Sequence, residues 1–407
     1  MSTHDRVSVP EEVPGAESLM SLPHGSVTRF DGQLIGFGLE TLERVVKDVG
    51  LSRPMLVIDP VAARAARFSA GIEQSPIFAG RVIDGVKPNP TMELARSALD
   101  ASAPWDADGV VAVGGGSCID LAKAVAVGLA HSHEVDAVLL GDAPIQAAVP
   151  IIAVPTSAGS GSQATRFGVL YVDGRKRSLD HLDLRPAAAV LDPRFVSVMP
   201  PRAAAISGLD ALCQCVESVW ACQATDRSRR CAIEGGRLMF ENLARAVRDR
   251  EAHALRAISI GAHLSGCAIN VSRTTAAHAY SYALTQQHGI PHGLAGAYAL
   301  GWVARWNAGR DEHTCDHPDG HAAARHLVEE ATAILECEPD DVKVCLDQLY
   351  SQLGLPPSMS LFGVRRKDLP ALAQAMDPQR LSNNPRRLSP RDVLECTEGE
   401  YTSDVLD

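Results

Sequence analysis

The chain has 407 residues and a formal net charge of −11, with 46% hydrophobic and 21% charged residues. That length exceeds what one hydrophobic core serves and predicts two domains, while the composition excludes wholesale disorder, a collagen-like repeat and a coiled coil. Lys and Arg form no cluster of five or more, which excludes an electrostatic footprint for nucleic acid, and apolar stretches such as 147–154 are too short to cross a bilayer.

In chain order, residues 1–25 are polar and proline-interrupted, and predict a flexible arm without chemistry. This opening lacks the basic start and apolar core of a secretory leader, so a cytoplasmic protein is expected. Short β-rich runs at 55–58, 81–83, 109–113, 151–154 and 188–191 then alternate with helical patterns, which predicts an α/β domain over 26–197 built on a largely parallel sheet. From residue 198 onward, alanine- and leucine-rich stretches at 202–221, 227–249, 252–270, 274–287 and 321–335 predict a helical domain running to 407. The 10 cysteines are scattered without a CxxC pair and are expected to be reduced thiols, mostly buried in helices.

Three segments carry chemistry. In the first, an apolar run ends in Gly114-Gly115-Gly116-Ser117-Cys118-Ile119-Asp120, a strand, a tight turn and a helix start. Glycines without Cβ let a diphosphate approach the backbone, and the open N–H groups of the helix start favour its charge; an ordinary tight turn uses the same residues. The second segment, Pro155-Thr156-Ser157-Ala158-Gly159-Ser160-Gly161-Ser162, offers hydroxyl donors to a nicotinamide amide, a ribose or a phosphate, and equally suits a surface linker. Two such loops after two strands favour a dinucleotide, because ligands gather at the carboxyl ends of parallel strands. Asp59, at the end of the 55–58 run, suits a ribose 2′-hydroxyl and would repel a 2′-phosphate, favouring NAD over NADP; a strand-end turn residue is the alternative. The expected cofactor residues are therefore Asp59, Gly114, Gly115, Gly116, Ser117, Asp120, Thr156, Ser157, Ser160 and Ser162.

In the third segment, Gly208-Leu209-Asp210-Ala211-Leu212-Cys213-Gln214 places Asp210 and Gln214 on one helix face. His278 falls in a later helical stretch and His292 at the turn that opens the next, so a helix and a return loop could bring both imidazoles to a cation with Asp210 and Gln214. Core histidines and a polar pair at a domain interface are the plainer alternative.

Taken in this order, the Gly114-Gly115-Gly116-Ser117 loop, the Pro155 to Ser162 loop, the Gly208 to Leu212 helix start and Pro291-His292-Gly293 resemble the iron-containing alcohol dehydrogenase family, from about residue 25 to 400. The resemblance implies that family's dehydroquinate synthase-like fold: a Rossmann-like α/β dinucleotide-binding domain and an all-α metal-binding domain. It also implies a nicotinamide cofactor, NAD or NADP, and Fe2+, with Zn2+ or Mn2+ as alternatives, held by Asp210, Gln214, His278 and His292. The family has a histidine where this chain has Gln214, and often a glutamate and a histidine where it has Gln163 and Tyr282.

Within the family, the Gly208 to Gln214 segment, Arg273-Thr274-Thr275-Ala276-Ala277-His278, Gly289-Ile290-Pro291-His292-Gly293 and Leu381-Ser382-Asn383-Asn384-Pro385 are similar to the phosphonoacetaldehyde reductases of phosphonate biosynthesis. The implied reaction is hydride transfer from the nicotinamide to a small aldehyde, phosphonoacetaldehyde giving 2-hydroxyethylphosphonate. Arg273, Arg166 and Lys176 or Arg177 would bind the dianion, and Tyr282, water or a ribose hydroxyl would supply the proton. Rival readings are a generic short-chain alcohol dehydrogenase or glycerol-phosphate dehydrogenase-like enzyme of the same fold and, from another class, a metal-free binding protein without catalysis. The expected partners are a small aldehyde or alcohol and further copies of the chain in a homodimer or larger homo-oligomer, with no nucleic acid and no membrane.

Overall fold

The computed structural model describes residues 12–65, 72–131, 135–309 and 311–398. These divide into two compact units, one comprising the chain up to Thr156 with Ser162–Phe195, the other comprising Ser157–Gly161 with the chain from Val196.

The first unit contains β1 (Val27–Phe30), β2 (Gln33–Phe37), β3 (Pro54–Ile58), β4 (Val82–Ile83), β5 (Gly109–Gly114), β6 (Ile151–Pro155), β7 (Phe167–Val172), β8 (Arg175–Asp180) and β9 (Ala188–Leu191). Seven of them form one sheet in the order β1-β2-β9-β6-β5-β3-β4, with β1 antiparallel to β2 and every other pairing parallel; β7 and β8 make a separate hairpin. Its helices are α1 (Ala16–Ser21), α2 (Leu42–Val49), α3 (Pro60–Ala65), α4 (Met92–Ser102), α5 (Gly116–Ala130) and α6 (Val135–Leu140). Side chains alternate across the central strands. Val110, Ala112, Ile151 and Ala153 join a core with Ile119, Ala122 and Val125 of α5, while Val111, Val113, Ile152 and Val154 pack with Val45 and Val46 of α2. Burial on both faces is why these strands read as continuous apolar runs.

Residues 12–25, expected to belong to a flexible arm, carry α1, whose Leu19 is fully buried. Ala16 and Leu19 share one face of a helix too short to show a period, so the expectation is corrected for these residues; 1–11 lie outside the described residues.

α7 (Pro193–Ser197) spans the division, and the second unit continues with α8 (Pro201–Trp220), α9 (Asp226–Arg248), α10 (Ala252–Ser272), α11 (Ala276–His288), α12 (His292–Asn307), α13 (Gly320–Thr332), α14 (Val342–Leu353), α15 (Leu369–Gln374), α16 (Pro378–Leu381) and α17 (Pro390–Glu398). The expected 26–197 domain is not one unbroken stretch, because Ser157–Gly161 packs with these helices. Gly161 makes that packing possible: it has φ +64°, and a Cβ there would lie 2.4 Å from Gly266 Cα. All ten cysteines are free, and Cys118, Cys213, Cys215, Cys231 and Cys267, in helices, are buried. Among the described residues no helix is long and apolar enough to cross a membrane.

Candidate metal and cofactor sites

Pro201 at the first position of α8 leaves the helix unbroken to Trp220, so Asp210, Gln214 and Glu217 lie along one face. α11 starts at Ala276 and α12 at His292, which puts His278 and His292 in first turns. Asp210, His278 and His292 each present one ligand atom, and these atoms lie within 4.8 Å of one another. Asp210 Oδ1 is 3.4 Å from His278 Nε2 and 4.0 Å from His292 Nε2. Gly293 allows the convergence, because a Cβ there would lie 2.2 Å from the Ile206 carbonyl oxygen and 3.0 Å from Asp210 N. Only a glycine lets α12 rest on the α8 backbone beside Asp210.

Both rings are oriented from behind. His278 Nδ1 bonds Glu217 Oε2, and His292 Nδ1 lies 3.2 Å from Ser281 Oγ. The Ser281 hydroxyl donates to the His278 carbonyl at 2.8 Å, so it receives the His292 Nδ1–H on its lone pair. Tyr282 stacks on His292, with centroids 5.1 Å apart and planes 10° from parallel.

Burial opposes ionisation of Asp210 and Glu217, but the hydrogen bonds and charge of His278, and for Asp210 also the charge of His292, hold both carboxyls below the ordinary range. Burial likewise opposes charge on His278, yet Glu217 and Asp210 outweigh it and push the imidazole up to about 10. A buried place that draws a proton this strongly is short of positive charge. One carboxylate and two imidazole nitrogens suit Fe2+, Mn2+ or Zn2+, so the residues present fit a divalent cation.

Gln214, expected to complete the ligand set, lies against Asp210. Its Nε2 donates to Asp210 Oδ2 at 3.1 Å, and its Oε1 accepts from Ser265 Oγ at 2.6 Å. Placed so, Gln214 orients the Asp210 carboxylate.

In the first unit, β5 ends at Gly114, Gly115 is the extended N-cap (φ −75°, ψ −173°) and α5 begins at Gly116. Thr156 N donates to the Gly114 carbonyl at 3.0 Å, so the carboxyl ends of β5 and β6 lie side by side. Cys118 N and Ile119 N donate to the Gly115 carbonyl at 3.0 and 3.1 Å, and the N–H groups ahead of them open the helix, a setting suited to a diphosphate. Ser117 Oγ accepts from Asn89 N at 3.2 Å. Asp59 Oδ1 accepts from the N–H groups of Val61 at 2.9 Å and Ala62 at 3.2 Å, so one of its oxygens caps α3. Ser157 and Ser160 belong to the second unit and are half-buried there.

Residues 35–193 match the family described as iron-containing alcohol dehydrogenase, and 204–401 match its C-terminal part. A phosphonoacetaldehyde reductase of Streptomyces viridochromogenes is 36% identical over 307 residues, covering 72% of this chain and 76% of the relative. The chain belongs to the iron-containing alcohol dehydrogenase family. A 4-hydroxybutyrate dehydrogenase of Cupriavidus necator is 29% identical, covering 89% of this chain and 96% of the relative. The structure of sulfoacetaldehyde reductase from Bifidobacterium kashiwanohense in complex with NAD+ superposes with a TM-score of 0.78 at 25% identity, covering 91% of this chain and 97% of that one. The protein is thus an oxidoreductase of the iron-containing alcohol dehydrogenase type, with the α/β and all-α parts of that fold.

In this iron-type dehydrogenase, Asp120 and Ser162 take a different role from the expected cofactor contact. Both serve Lys123, which is fully buried in α5. Its Nζ donates to Ser162 Oγ at 3.1 Å, to Thr165 O at 2.9 Å and Oγ1 at 3.1 Å, and to Phe167 O at 2.6 Å; Ser162 Oγ in turn donates to Asp120 Oδ1 at 2.8 Å. The hub pins α5 to the segment leading into β7. Sequence reasoning passed over Lys123, although a lysine within Leu121-Ala122-Lys123-Ala124-Val125 was a readable signal. Lys123→Met should destabilise the protein by about 3–5 kcal/mol, since four acceptors and the Asp120 charge lose their partner. Thermal denaturation checks this, and a loss below about 1 kcal/mol would refute the hub.

The cations expected to bind substrate are divided between the two units. Arg166 Nε pairs with Asp180 Oδ1 at 3.0 Å, and Lys176 is exposed on β8 opposite Tyr171; both lie in the first unit, with the exposed Arg177. Arg273 shares the second unit with the metal cluster and has φ +61° and ψ −176°. That backbone region is essentially glycine's own, so an arginine there is strained. Asn383 enforces it: its Nδ2 donates to the carbonyls of Ser272 at 2.8 Å and Thr274 at 3.0 Å, and its Oδ1 accepts from Gln223 N at 3.1 Å.

Proposed function

We propose that this enzyme reduces a small aldehyde bearing an anionic group, phosphonoacetaldehyde giving 2-hydroxyethylphosphonate, with NAD as the cofactor couple. The observation that carries the reading is Arg273: a strained residue clamped on both sides by Asn383, directly ahead of the helix that bears His278. Strain of this kind persists where the surroundings over-determine it, and it concentrates at ligand clamps. The names of three relatives support the choice of substrate class, since they refer to phosphonoacetaldehyde, 4-hydroxybutyrate and sulfoacetaldehyde. Asp59 at the end of β3 supports NAD, because its carboxylate would repel a 2′-phosphate.

When bound, the cation supplies a Lewis acid for the carbonyl oxygen and the nicotinamide supplies hydride. The chain's own residues do the rest. Asp210, His278 and His292 hold the cation, Gln214 fixes the Asp210 carboxylate, and the Arg273 guanidinium binds the anionic end so that the carbonyl is presented in one orientation. One aldehyde, one NADH and one proton give one alcohol and one NAD+.

Steady-state kinetics with Arg273→Ala test this. A lost charge-assisted contact of about 1.5–3 kcal/mol predicts a rise in KM for phosphonoacetaldehyde of roughly 10- to 150-fold, with little change for acetaldehyde. Equal changes for both aldehydes, or a wild-type enzyme indifferent between them, would overturn the proposal.

A further inference from the structure

Glu217 is outside the ligand set, yet it is the most heavily bonded side chain near it. It is fully buried in α8. Its Oε1 accepts from Thr275 N at 3.0 Å, Thr275 Oγ1 at 2.7 Å, Ala277 N at 3.0 Å and His278 N at 3.3 Å, and its Oε2 bonds His278 Nδ1. The backbone donors open α11 and have no helical acceptor of their own. We infer that Glu217 is the positioning residue that makes His278 a metal ligand, fixing in one side chain both the start of α11 and the tautomer of the ring. The inference rests on the metal reading above.

The chemistry is one of donors and acceptors. An ionised carboxylate has no proton to give, so His278 Nδ1 must carry the hydrogen in their bond. When a cation takes the place of the second ring proton, the lone pair that holds it is on Nε2, the atom 3.4 Å from Asp210 Oδ1. His292 reaches the same tautomer through Ser281, but a hydroxyl can turn from acceptor to donor, whereas a carboxylate cannot. Glu217 therefore imposes what Ser281 only favours. A carboxylate behind a ligating imidazole also raises its basicity, and loss of such partners weakens metal affinity by about 10- to 100-fold.

Glu217→Gln separates positioning from packing. The four donors keep the amide oxygen on their side, so the amide NH2 faces His278 Nδ1. That nitrogen must then accept, the ring proton moves to Nε2, and Nε2 can no longer ligate. Zn2+ titration of the purified full-length protein should show affinity lower by about 10- to 100-fold in Glu217→Gln, with helix content and dinucleotide affinity unchanged. In Co2+-loaded protein, wild type should show two exchangeable, paramagnetically shifted ring N–H resonances, one each from His278 and His292, and Glu217→Gln one. A purely structural role for Glu217 would lower the melting temperature while leaving Zn2+ affinity and both resonances intact, which would overturn the inference. Should Glu217→Gln not fold, Glu217→Asp carries the test: it keeps an acceptor-only group, so both resonances are expected, and loss of one refutes tautomer control. A wild-type protein that binds neither Zn2+ nor Co2+ would sink the metal reading itself, a result distinct from wild type and Glu217→Gln binding equally.

Discussion

His292→Ala should abolish turnover and leave dinucleotide affinity within about twofold of wild type. His292 is the cleaner ligand to remove, because its side chain is 36% exposed, whereas His278 is 4% exposed and separates two carboxylates that would otherwise face each other. Deleting a buried, paired charge damages the fold; deleting His292 chiefly costs a ligand. A Lewis acid supplies several kcal/mol of barrier lowering, so a fall in kcat on the order of a thousandfold or more is expected. Nucleotide fluorescence titration and stopped-flow turnover measure the two quantities on one sample. Retained turnover would reject the ligand assignment, and a large loss of nucleotide affinity would show that the substitution acts beyond the cluster.

Gly293→Ala should displace α12 from α8 and lower both metal affinity and turnover, the latter by roughly 100-fold, as a shift near 1 Å at a reacting centre does. The added methyl would meet the Ile206 carbonyl oxygen at 2.2 Å and Asp210 Cβ at 2.8 Å. The nearest of these atoms is backbone, so rotamer changes cannot relieve the clash and the helix must move, at a cost of about 1–3 kcal/mol. The control is Gly296→Ala in the same helix, where the nearest atoms to an added Cβ, Cys213 Cβ and His278 Cε1, lie 4.0 Å away. That change should be neutral or stabilise by up to about 1 kcal/mol, because alanine is the better helix residue. Opposite signs in thermal denaturation, with loss of Zn2+ binding in the first variant alone, are the expected pair of results. Similar behaviour of the two would show that close approach at Gly293 does not build the site.

Strands β3, β5, β6 and β9 were legible because both of their faces are buried, which writes an uninterrupted apolar run into the sequence. β1, β2 and β8 were not: Gln33 sits in β2 as a buried side chain that donates to the Gln163 and Pro186 carbonyls, and β8 reads Arg-Lys-Arg-Ser-Leu-Asp. No apolar pattern marks β8, whereas β7, Phe-Gly-Val-Leu-Tyr-Val, was a readable run that was passed over. In the site, Asp210, His278 and His292 could be singled out by residue type and order, while Glu217 was passed over although its place in the Cys-Val-Glu-Ser-Val-Trp run, two turns beyond Asp210, was visible. The orientation of Gln214 depends on Ser265, which lies on another helix, and nothing in the local sequence announces that bond. Asn383 was quotable as part of a motif, but its purpose needs the backbone angles of Arg273.

The brief departure of Ser157–Gly161 has a practical outcome for anyone who wants to cut this enzyme apart. The polypeptide passes from one body to the other at three points instead of one. A fragment that begins at Val196 would lack the turn that lies against Ser207 and Gly266, leaving an unfilled notch in its helical wall. Conversely, a single proteolytic nick near Pro200 would leave that turn covalently attached to the amino-terminal piece while still seated among the helices. The nicked halves should co-elute on gel filtration until a denaturant parts them, and a freestanding metal-binding half will require circular permutation or a grafted peptide instead of simple truncation.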